Sequence, residues 1–551
     1  MQYAYDIRKF EAYNTIPELL FAIKDYYQEG HPVVMSKIKH QEDKVSYHRL
    51  FSDVHYVCKM LDNLHSGVMR VALMSEFFCY EWLVAFLAVI CTGNIAVPID
   101  KDLNESALLQ HMQQADINAV FFDNSCSRNI SSDLSAGLLF TISLDRSNGY
   151  PSIKDFCGSE LIKYTPKQTL SPDQSAIMIF TSGTMGASKI VSLSHKNICH
   201  DIFCSISLLG ERAVFPGDRT IPVLPLHHVY GITVGILAPL CYGMTLCAGG
   251  GMKYFSKSIA YFKPTFLTIV PIIAEAIHKR IWQEAERNGK TKRLKTMILF
   301  NHFFKRFGLD MSSKLFRKVW DSLGGNLKIL LCGAAFVEKN LVDAYSDLGI
   351  SLIVGYGISE CSPLITANAL KNNVAGSVGK TVGAPYCEIK IMNGEICVKG
   401  SIVFSEYYKN EQETQKAFTN GWFKTGDLGY LDSNGNLYIS GRKKNLIILP
   451  DGNNVSPEEL ESLLQKESLI KSVFVCEREY ENCAYITAYI HPNYEYASSL
   501  KMQDIRGEIL KIVSKINLTL PYYKKIHKVE ISETDFEKTA LGKVKRYVYC
   551  Q

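Results

Sequence analysis

The sequence predicts an α/β fold: a mostly parallel sheet covered by helices on both faces, then an antiparallel β unit, then a small α+β domain. Three observations carry that prediction. Short apolar runs, Val71-Ala72-Leu73-Met74 and Ala119-Val120-Phe121-Phe122 among them, alternate with segments of helical spacing. Continuous apolar strands of this kind belong to parallel sheets buried on both sides. Further on, strands follow one another closely across Asn393-Gly394 and Asn434-Gly435, dipeptides suited to antiparallel hairpin turns. Past a boundary near Lys444, helices and strands alternate in a final segment of about a hundred residues.

Taken in order, residues 1–45 read as a lead-in of helix and loop. Val45-Ser46-Tyr47 opens a strand-and-helix unit that runs to Leu64. Residues 81–90 have helical spacing and are apolar nearly all round; residues 93–100 read as a turn, a strand and a stop. The apolar run ending at Phe180 is a buried strand, and Ser194-His195-Lys196-Asn197-Ile198 starts a helix. Residues 232–246 are short for a membrane span and contain Pro239 and Gly243, so a buried helix and strand are expected. A strand over 266–270 stops at Pro271. In the last domain, Ser456 caps a helix with Pro457 at its first position, and strands at 472–476 and 485–490 precede a helix over 502–516.

With 551 residues the chain is long enough for two or more domains, and 47% hydrophobic with 21% charged residues is ordinary globular composition. A formal net charge of +5 is small for this length and gives no argument for nucleic acid. The sixteen cysteines are scattered, mostly in apolar runs, with no Cys-x-x-Cys pair. That implies reduced, buried thiols and a cytoplasmic protein rather than a disulfide frame or a zinc site. Met1-Gln2-Tyr3-Ala4-Tyr5-Asp6 lacks the basic region and apolar core of a secretory leader. Between Lys279 and Lys318, twelve Lys and Arg face only Glu284, Glu286 and Asp310, with Leu299, Phe300, Phe303 and Phe304 interleaved. Such a segment either lies on anionic lipid as a peripheral membrane contact or is a solvated face over the core.

The candidate chemistry begins at Thr181-Ser182-Gly183-Thr184-Met185-Gly186-Ala187-Ser188-Lys189. Glycines let backbone N–H groups converge on an anion, the hydroxyls add donors, and Lys189 adds a charge. Lys189 stands three residues after Gly186, so this is a phosphate loop of a kind other than Walker A. Leu224-Pro225-Leu226-His227-His228-Val229-Tyr230-Gly231 places two histidines after an apolar strand, where hydrogen-bonded core residues are the plainer reading. Strands ending in Cys332-Gly333-Ala334-Ala335 and Gly355-Tyr356-Gly357-Ile358-Ser359-Glu360 carry small residues that would admit a flat base. Tyr356 offers a stacking face and Glu360 a hard oxygen for Mg²⁺. Thr425-Gly426-Asp427 reads as a tight turn whose carboxylate either caps the turn or accepts ribose hydroxyls.

In this order, these stretches resemble the adenylate-forming superfamily: acyl-CoA synthetases, adenylation domains and luciferases. The resemblance covers residues 45–546. It is nearest to long-chain fatty acyl-CoA synthetases, through Leu224-Pro225-Leu226-His227-His228, the basic helical insertion, and Asp451-Gly452-Asn453-Asn454-Val455-Ser456-Pro457. Met185, Ser188, Ile190 and Ser359 depart from the family's usual residues. The resemblance implies a large N-terminal domain, residues 1–441, with two mostly parallel sheets flanked by helices and a small β-barrel-like subdomain. A mobile C-terminal domain, residues 442–551, would carry the catalytic lysine. It further implies ATP-dependent activation of a carboxylic acid to acyl-AMP, with transfer to a thiol.

By that resemblance Thr181, Ser182, Gly183, Thr184, Gly186 and Lys189 hold phosphates, and Thr184 and Glu360 hold Mg²⁺. Gly333, Ala334, Ala335, Tyr356, Gly357, Ser359 and Ile439 border the nucleotide. Asp427 takes the ribose hydroxyls, with Arg442 nearby, and Lys543 bridges the substrate carboxylate and the α-phosphate. His228, Gly231, Val270, Pro271 and Ile358 line the acyl pocket, with His228 and Arg442 among the catalytic set. Lys444 is the hinge and Gly452 lines the thiol passage. The implied co-substrates are ATP, a fatty acid and CoA. An acyl carrier protein is the alternative acceptor, and a catalytically dead nucleotide-binding regulator is a third reading.

Overall fold

The computed structural model describes residues 11–27, 32–38, 41–130, 135, 137–146, 149–166, 169–181, 188–210, 213–305, 307–449, 454–480, 483–538 and 544–549. The chain packs as two units, Met1–Glu388 with Val398–Gly421, and Ile389–Cys397 with Trp422–Gln551. In the first unit, β1 (Val34–Ile38), β2 (Gln41–Val45), β9 (Arg219–Thr220) and β10 (Thr245–Ala248) form one sheet in the order β2-β1-β10-β9. A larger sheet contains β3 (Arg70–Met74), β4 (Ile95–Pro98), β5 (Ala119–Phe122), β6 (Phe140–Ser143), β7 (Ser175–Thr181), β8 (Lys189–Ser194) and β17 (Glu406–Tyr407). Its order is β17-β8-β7-β4-β3-β5-β6. From β7 to β6 every pairing is parallel; β8 and β17 add antiparallel edges.

This sheet has the expected physics. Every residue of β4 and β5 is buried, as strands covered on both faces require. The helix Tyr80–Cys91 is buried from Trp82 to Cys91, so its all-round apolar surface is consumed by the core. Trp82 stacks on Phe86 at 4.9 Å. A further sheet, β11 (Phe266–Ile269), β12 (Ile329–Cys332), β13 (Ser351–Gly357) and β14 (Leu364–Ala367), runs in that order, parallel up to β13 and antiparallel at β14.

One local expectation changes here. Residues 1–45 are more than helix and loop: among the described residues, the helix Ile16–Tyr26 is followed by the hairpin β1-β2. Strand β1 pairs in parallel with β10, Val34 opposite Leu246, a partner so distant in sequence that no local pattern announces it. Residues 232–246 are the expected buried helix and strand, with a π-helical turn at Thr233–Leu237 ahead of β10.

In the second unit, β15 (Glu388–Met392), β16 (Glu395–Lys399), β19 (Trp422–Leu431) and β20 (Leu437–Arg442) lie side by side in that order. Asn393 and Gly394 between β15 and β16 both have positive φ, 51° and 78°, the two-residue turn that Asn-Gly favours. Thr425-Gly426-Asp427 is not a free turn: it lies inside β19, where pairing with β20 holds Asp427 opposite Arg442. A second sheet, β23 (Ile470–Tyr480), β24 (Cys483–Pro492) and β25 (Lys528–Ile531), packs against the helices Pro457–Gln465 and Ile505–Thr519. Pro457 takes the first helical position, but the Ser456 hydroxyl donates to Glu458 Oε2 at 3.0 Å rather than capping the helix. The whole is the predicted α/β architecture, with mixed parallel sheets, a curled half-barrel sheet and a separate C-terminal part.

Ser194 does cap the helix His195–Leu209, its hydroxyl accepting from Asn197 N. The first helical residue, His195, is fully buried, and its Nδ1 accepts from Ile16 N at 3.4 Å. Burial lowers its pKa from 6.5 to about 4. A base whose folded pKa is depressed adds stability that is complete above the unfolded value and lost as pH falls toward the folded one. The larger unit should therefore lose on the order of 3 kcal/mol between pH 7 and 4 through this group alone. Denaturant unfolding across that range should show a shallower acid slope for His195→Asn; identical slopes would contradict the assignment.

Candidate active site

The geometry starts from strand register. Ile269, Cys332 and Val354 stand level on β11, β12 and β13, so β11 and β12 end side by side while β13 continues past them. Val270 and Pro271 follow β11, Pro271 opening the helix Pro271–Arg287. Gly333, Ala334 and Ala335 follow β12, with Ala334 at φ 69°. Strand β13 runs on through Tyr356 and Gly357, farther than the sequence suggested, because β14 folds back beside it with Tyr356 opposite Thr366. Gly357 permits that approach: a Cβ there would lie 1.7 Å from the Pro363 carbonyl oxygen. Ile358 N donates to the same carbonyl, 3.0 Å, before a short turn carries Ser359 and Glu360.

Residues 228–231 belong to this cluster. Tyr230 is the residue the sequence reading passed over. Its hydroxyl donates to the Leu331 carbonyl at 3.0 Å, and a Cβ on Gly333 would come within 3.3 Å of its ring. Gly231 is tucked under Pro225, whose carbonyl oxygen would stand 2.7 Å from an added Cβ. His227 and His228 lie with ring centroids 4.3 Å apart, and His227 Nε2 is 3.7 Å from Asp100 Oδ2. Burial lowers the His227 pKa and Asp100 opposes that.

A charged group adjoins the strand ends through Glu360. Thr181 pairs with Lys189 across β7 and β8. Lys189 Nζ sits 2.6 Å from Glu413 Oε2 and 4.7 Å from the Tyr407 ring centroid. The Tyr407 hydroxyl donates to Glu360 Oε1 at 2.8 Å. Lys189, then Lys416, pull the Glu413 carboxyl down to about 2, so it is ionised at neutral pH. A cleft of about 240 Å³ opens beside Lys189, bordered by Gln114, Ser188, Lys409 and Asn410. Glu413 and Tyr407 also escaped the sequence reading. The available signal was the cap Asn410-x-x-Glu413, in which Asn410 Oδ1 accepts from Glu413 N at 3.2 Å.

In the second unit, Asp427 is buried and Arg442 Nε reaches its Oδ1 at 2.8 Å. Thr425 braces the strand, its Oγ1 donating to the Ile396 carbonyl and accepting from Asp427 N, 2.8 and 3.1 Å. Ile439 is not part of that pair; its register partner is Gly429. Lys444 lies in the short turn Lys443–Asn445 directly after β20. Ser182, Gly183, Thr184, Gly186, Gly452 and Lys543 lie outside the described residues. On either side of Lys543, Lys538 and Val544 form an antiparallel bridge, and Arg546 is held by both Glu461 carboxylate oxygens.

Residues 25–408 match the model of the AMP-binding enzyme family. The chain belongs to the AMP-binding enzyme family. Residues 444–551 match the AMP-binding enzyme C-terminal domain. The chain is thus a member of the adenylate-forming superfamily and an enzyme of the AMP-forming acid–CoA ligase family. It is 29% identical over 519 residues to the long-chain-fatty-acid–CoA ligase FadD15 of Mycobacterium bovis, covering 86% of this chain and 84% of that protein. The fold matches that of the anthranilate CoA ligase AuaEII in complex with anthranoyl-AMP, with TM-score 0.78, 18% identity, and 99% and 98% of the two chains covered. It also matches o-succinylbenzoate coenzyme A synthetase of Bacillus subtilis in complex with ATP and magnesium ion, with TM-score 0.74, 21% identity, and 97% and 99% covered.

The close approach at Gly357 is directly testable. Gly357→Ala should destabilise the protein by about 1–3 kcal/mol, the usual cost of overpacking. Gly137→Ala, where an added Cβ meets nothing within 4 Å, should be neutral. Urea unfolding that fails to separate the two variants would contradict the packing of β13 on β14.

Proposed function

We propose that this enzyme activates a medium- or long-chain fatty acid as acyl-AMP and passes the acyl group to CoA. The observation that carries the reading is the meeting of three strand ends with Tyr356, Glu360 and, through Tyr407, Lys189. The fatty-acid substrate is supported by the likeness to FadD15. A carboxylic acid has a pKa near ~4–5 and is already ionised at neutral pH, so the first step needs no general base. Its carboxylate oxygen attacks the α-phosphorus, and pyrophosphate leaves with the bonding electrons. The obstacle is an anion approaching a polyanion, which fixed cations and donors must relieve.

In this reading Thr181, Ser182, Gly183, Thr184, Gly186 and Lys189 hold the β- and γ-phosphates, and the phosphates displace Glu413 from Lys189. Gly333, Ala334, Ala335, Gly357 and Tyr356 flank adenine, with Ser359 and Ile439 at its border. Asp427, paired with Arg442, accepts the ribose hydroxyls. His228, Gly231, Val270, Pro271 and Ile358 border the acyl chain. A magnesium ion that keeps phosphate and water ligands requires only one or two carboxylates. Glu360 fits that role, Thr184 is the second ligand that the family resemblance implies, and the ion would supply charge neutralisation on the phosphates. Lys543 bridges the substrate carboxylate and the α-phosphate. In the second step the domain of residues 442–551 turns about Lys444, withdrawing Lys543 and bringing Gly452 to the thiol passage.

A panel of carboxylates scored by pyrophosphate release, with and without CoA, tests the substrate. Release should be strongest with fatty acids, and mass spectrometry should find acyl-CoA. Release with amino acids alone, thioester only on a phosphopantetheinylated carrier, or no turnover at all would each overturn the reading. Lys543→Ala should slow acyl-AMP formation by about 10²–10³-fold while sparing thioester formation from supplied acyl-AMP. Equal loss of both halves would remove the lysine from this role. Lys444→Pro should spare adenylation and block thioester formation, and unchanged overall turnover would refute the hinge.

A further inference from the structure

We propose that the outer face of the helix Thr291–Lys305, with Phe307 and Leu309 beyond it, is a docking surface for an anionic lipid bilayer. The helix already has its inner contacts. Leu294 and Asn301, seven residues apart on one stripe, are buried. The Asn301 amide donates to the Asp347 carbonyl at 3.2 Å and its Oδ1 accepts from Met311 N at 3.0 Å. That fixes which side faces the protein. Lys292, Thr296, Leu299 and Phe303, spaced four, three and four, form the opposite stripe.

The outer stripe is apolar where solvent reaches it. Leu299 is 71% exposed, Phe303 56%, Phe307 68% and Leu309 55%. The aromatics are contiguous: Phe304 lies 4.5 Å from Phe300 and 5.5 Å from Phe303, and Phe307 lies 5.2 Å from Phe303. Single exposed apolar residues need no explanation, but a joined patch marks a surface that meets a partner. Periodicity alone would place these side chains in a core.

Charge identifies the partner. Lys290, Lys292, Arg293 and Lys295 are exposed around the start of the same helix, and its first turn holds no acidic residue. Cations at a helix N-terminus oppose the helix dipole, so the fold itself gains nothing from this placement. An anionic surface compensates it. Exposed aliphatic and aromatic side chains beside a lysine and arginine cluster match a bilayer, acyl chains taking Leu299, Phe303 and Phe307 and headgroup phosphates taking the cations. The inference does not depend on which carboxylate the enzyme uses.

Co-sedimentation of the full chain with phosphatidylcholine vesicles, with and without phosphatidylserine, tests it. Phosphatidylserine should raise the binding constant by at least about tenfold, and added salt should reverse the gain. Lys292→Glu/Arg293→Glu/Lys295→Glu should erase the phosphatidylserine dependence. Leu299→Ser/Phe303→Ser/Phe307→Ser should keep that dependence but weaken binding by about tenfold. Both variants change exposed positions and should melt with the wild type. Indifference of the wild type to phosphatidylserine, or equal binding by wild type and both variants, would overturn the proposal. So would a dimer in sedimentation velocity that the apolar variant disrupts without any lipid binding, which would assign the patch to a second copy.

Discussion

The structure depends on one constraint: β11, β12 and β13 run parallel and in register, with Ile269, Cys332 and Val354 level. Parallel strands require long crossovers, so three distant chain segments must re-enter the sheet and run toward the same edge. The residues just beyond that edge inherit its rigidity. Tyr230 locks onto it through the Leu331 carbonyl, and Gly333 and Gly357 leave room for Tyr230 and Pro363 to close in. Side chains that would handle a nucleotide thus come from turns whose ends are fixed by the core, not from free loops.

The electrostatics divide by burial. Lys189 and Glu413 are each about one-third exposed, at 31% and 32%, and an ion pair of that exposure is worth about 0–1 kcal/mol. A polyphosphate can displace Glu413 at little cost. Asp427 is different: only 5% of its side chain is exposed, and Arg442 stands against it. Arg442 itself is 40% exposed, so the pair is open to solvent on the arginine side.

Much of this was legible in the sequence because it is local. Apolar strands at residues 71–74 and 119–122, the all-round apolar helix, and the Asn393-Gly394 turn follow from composition and backbone preference alone. What stayed hidden was set by distant pairing. Strand β1 depends on β10, the length of β13 depends on β14, and Asp427 becomes a strand residue because Arg442 lies across from it. Glu413 looked like any acidic residue in a first helical turn until the fold put Lys189 beside it. Leu299 and Phe303 carried a helical apolar pattern whose outward direction only the burial of Leu294 and Asn301 reveals.

The central expectation is that the nucleotide base lies at the edge formed by β11, β12 and β13. Photolabelling with 8-azido-ATP, followed by peptide mapping, asks this of the intact protein. Label on peptides containing residues 333–335 or Tyr356, removed by excess ATP, is the predicted result. Label confined to other peptides, or label at these positions that excess ATP leaves unchanged, would contradict it.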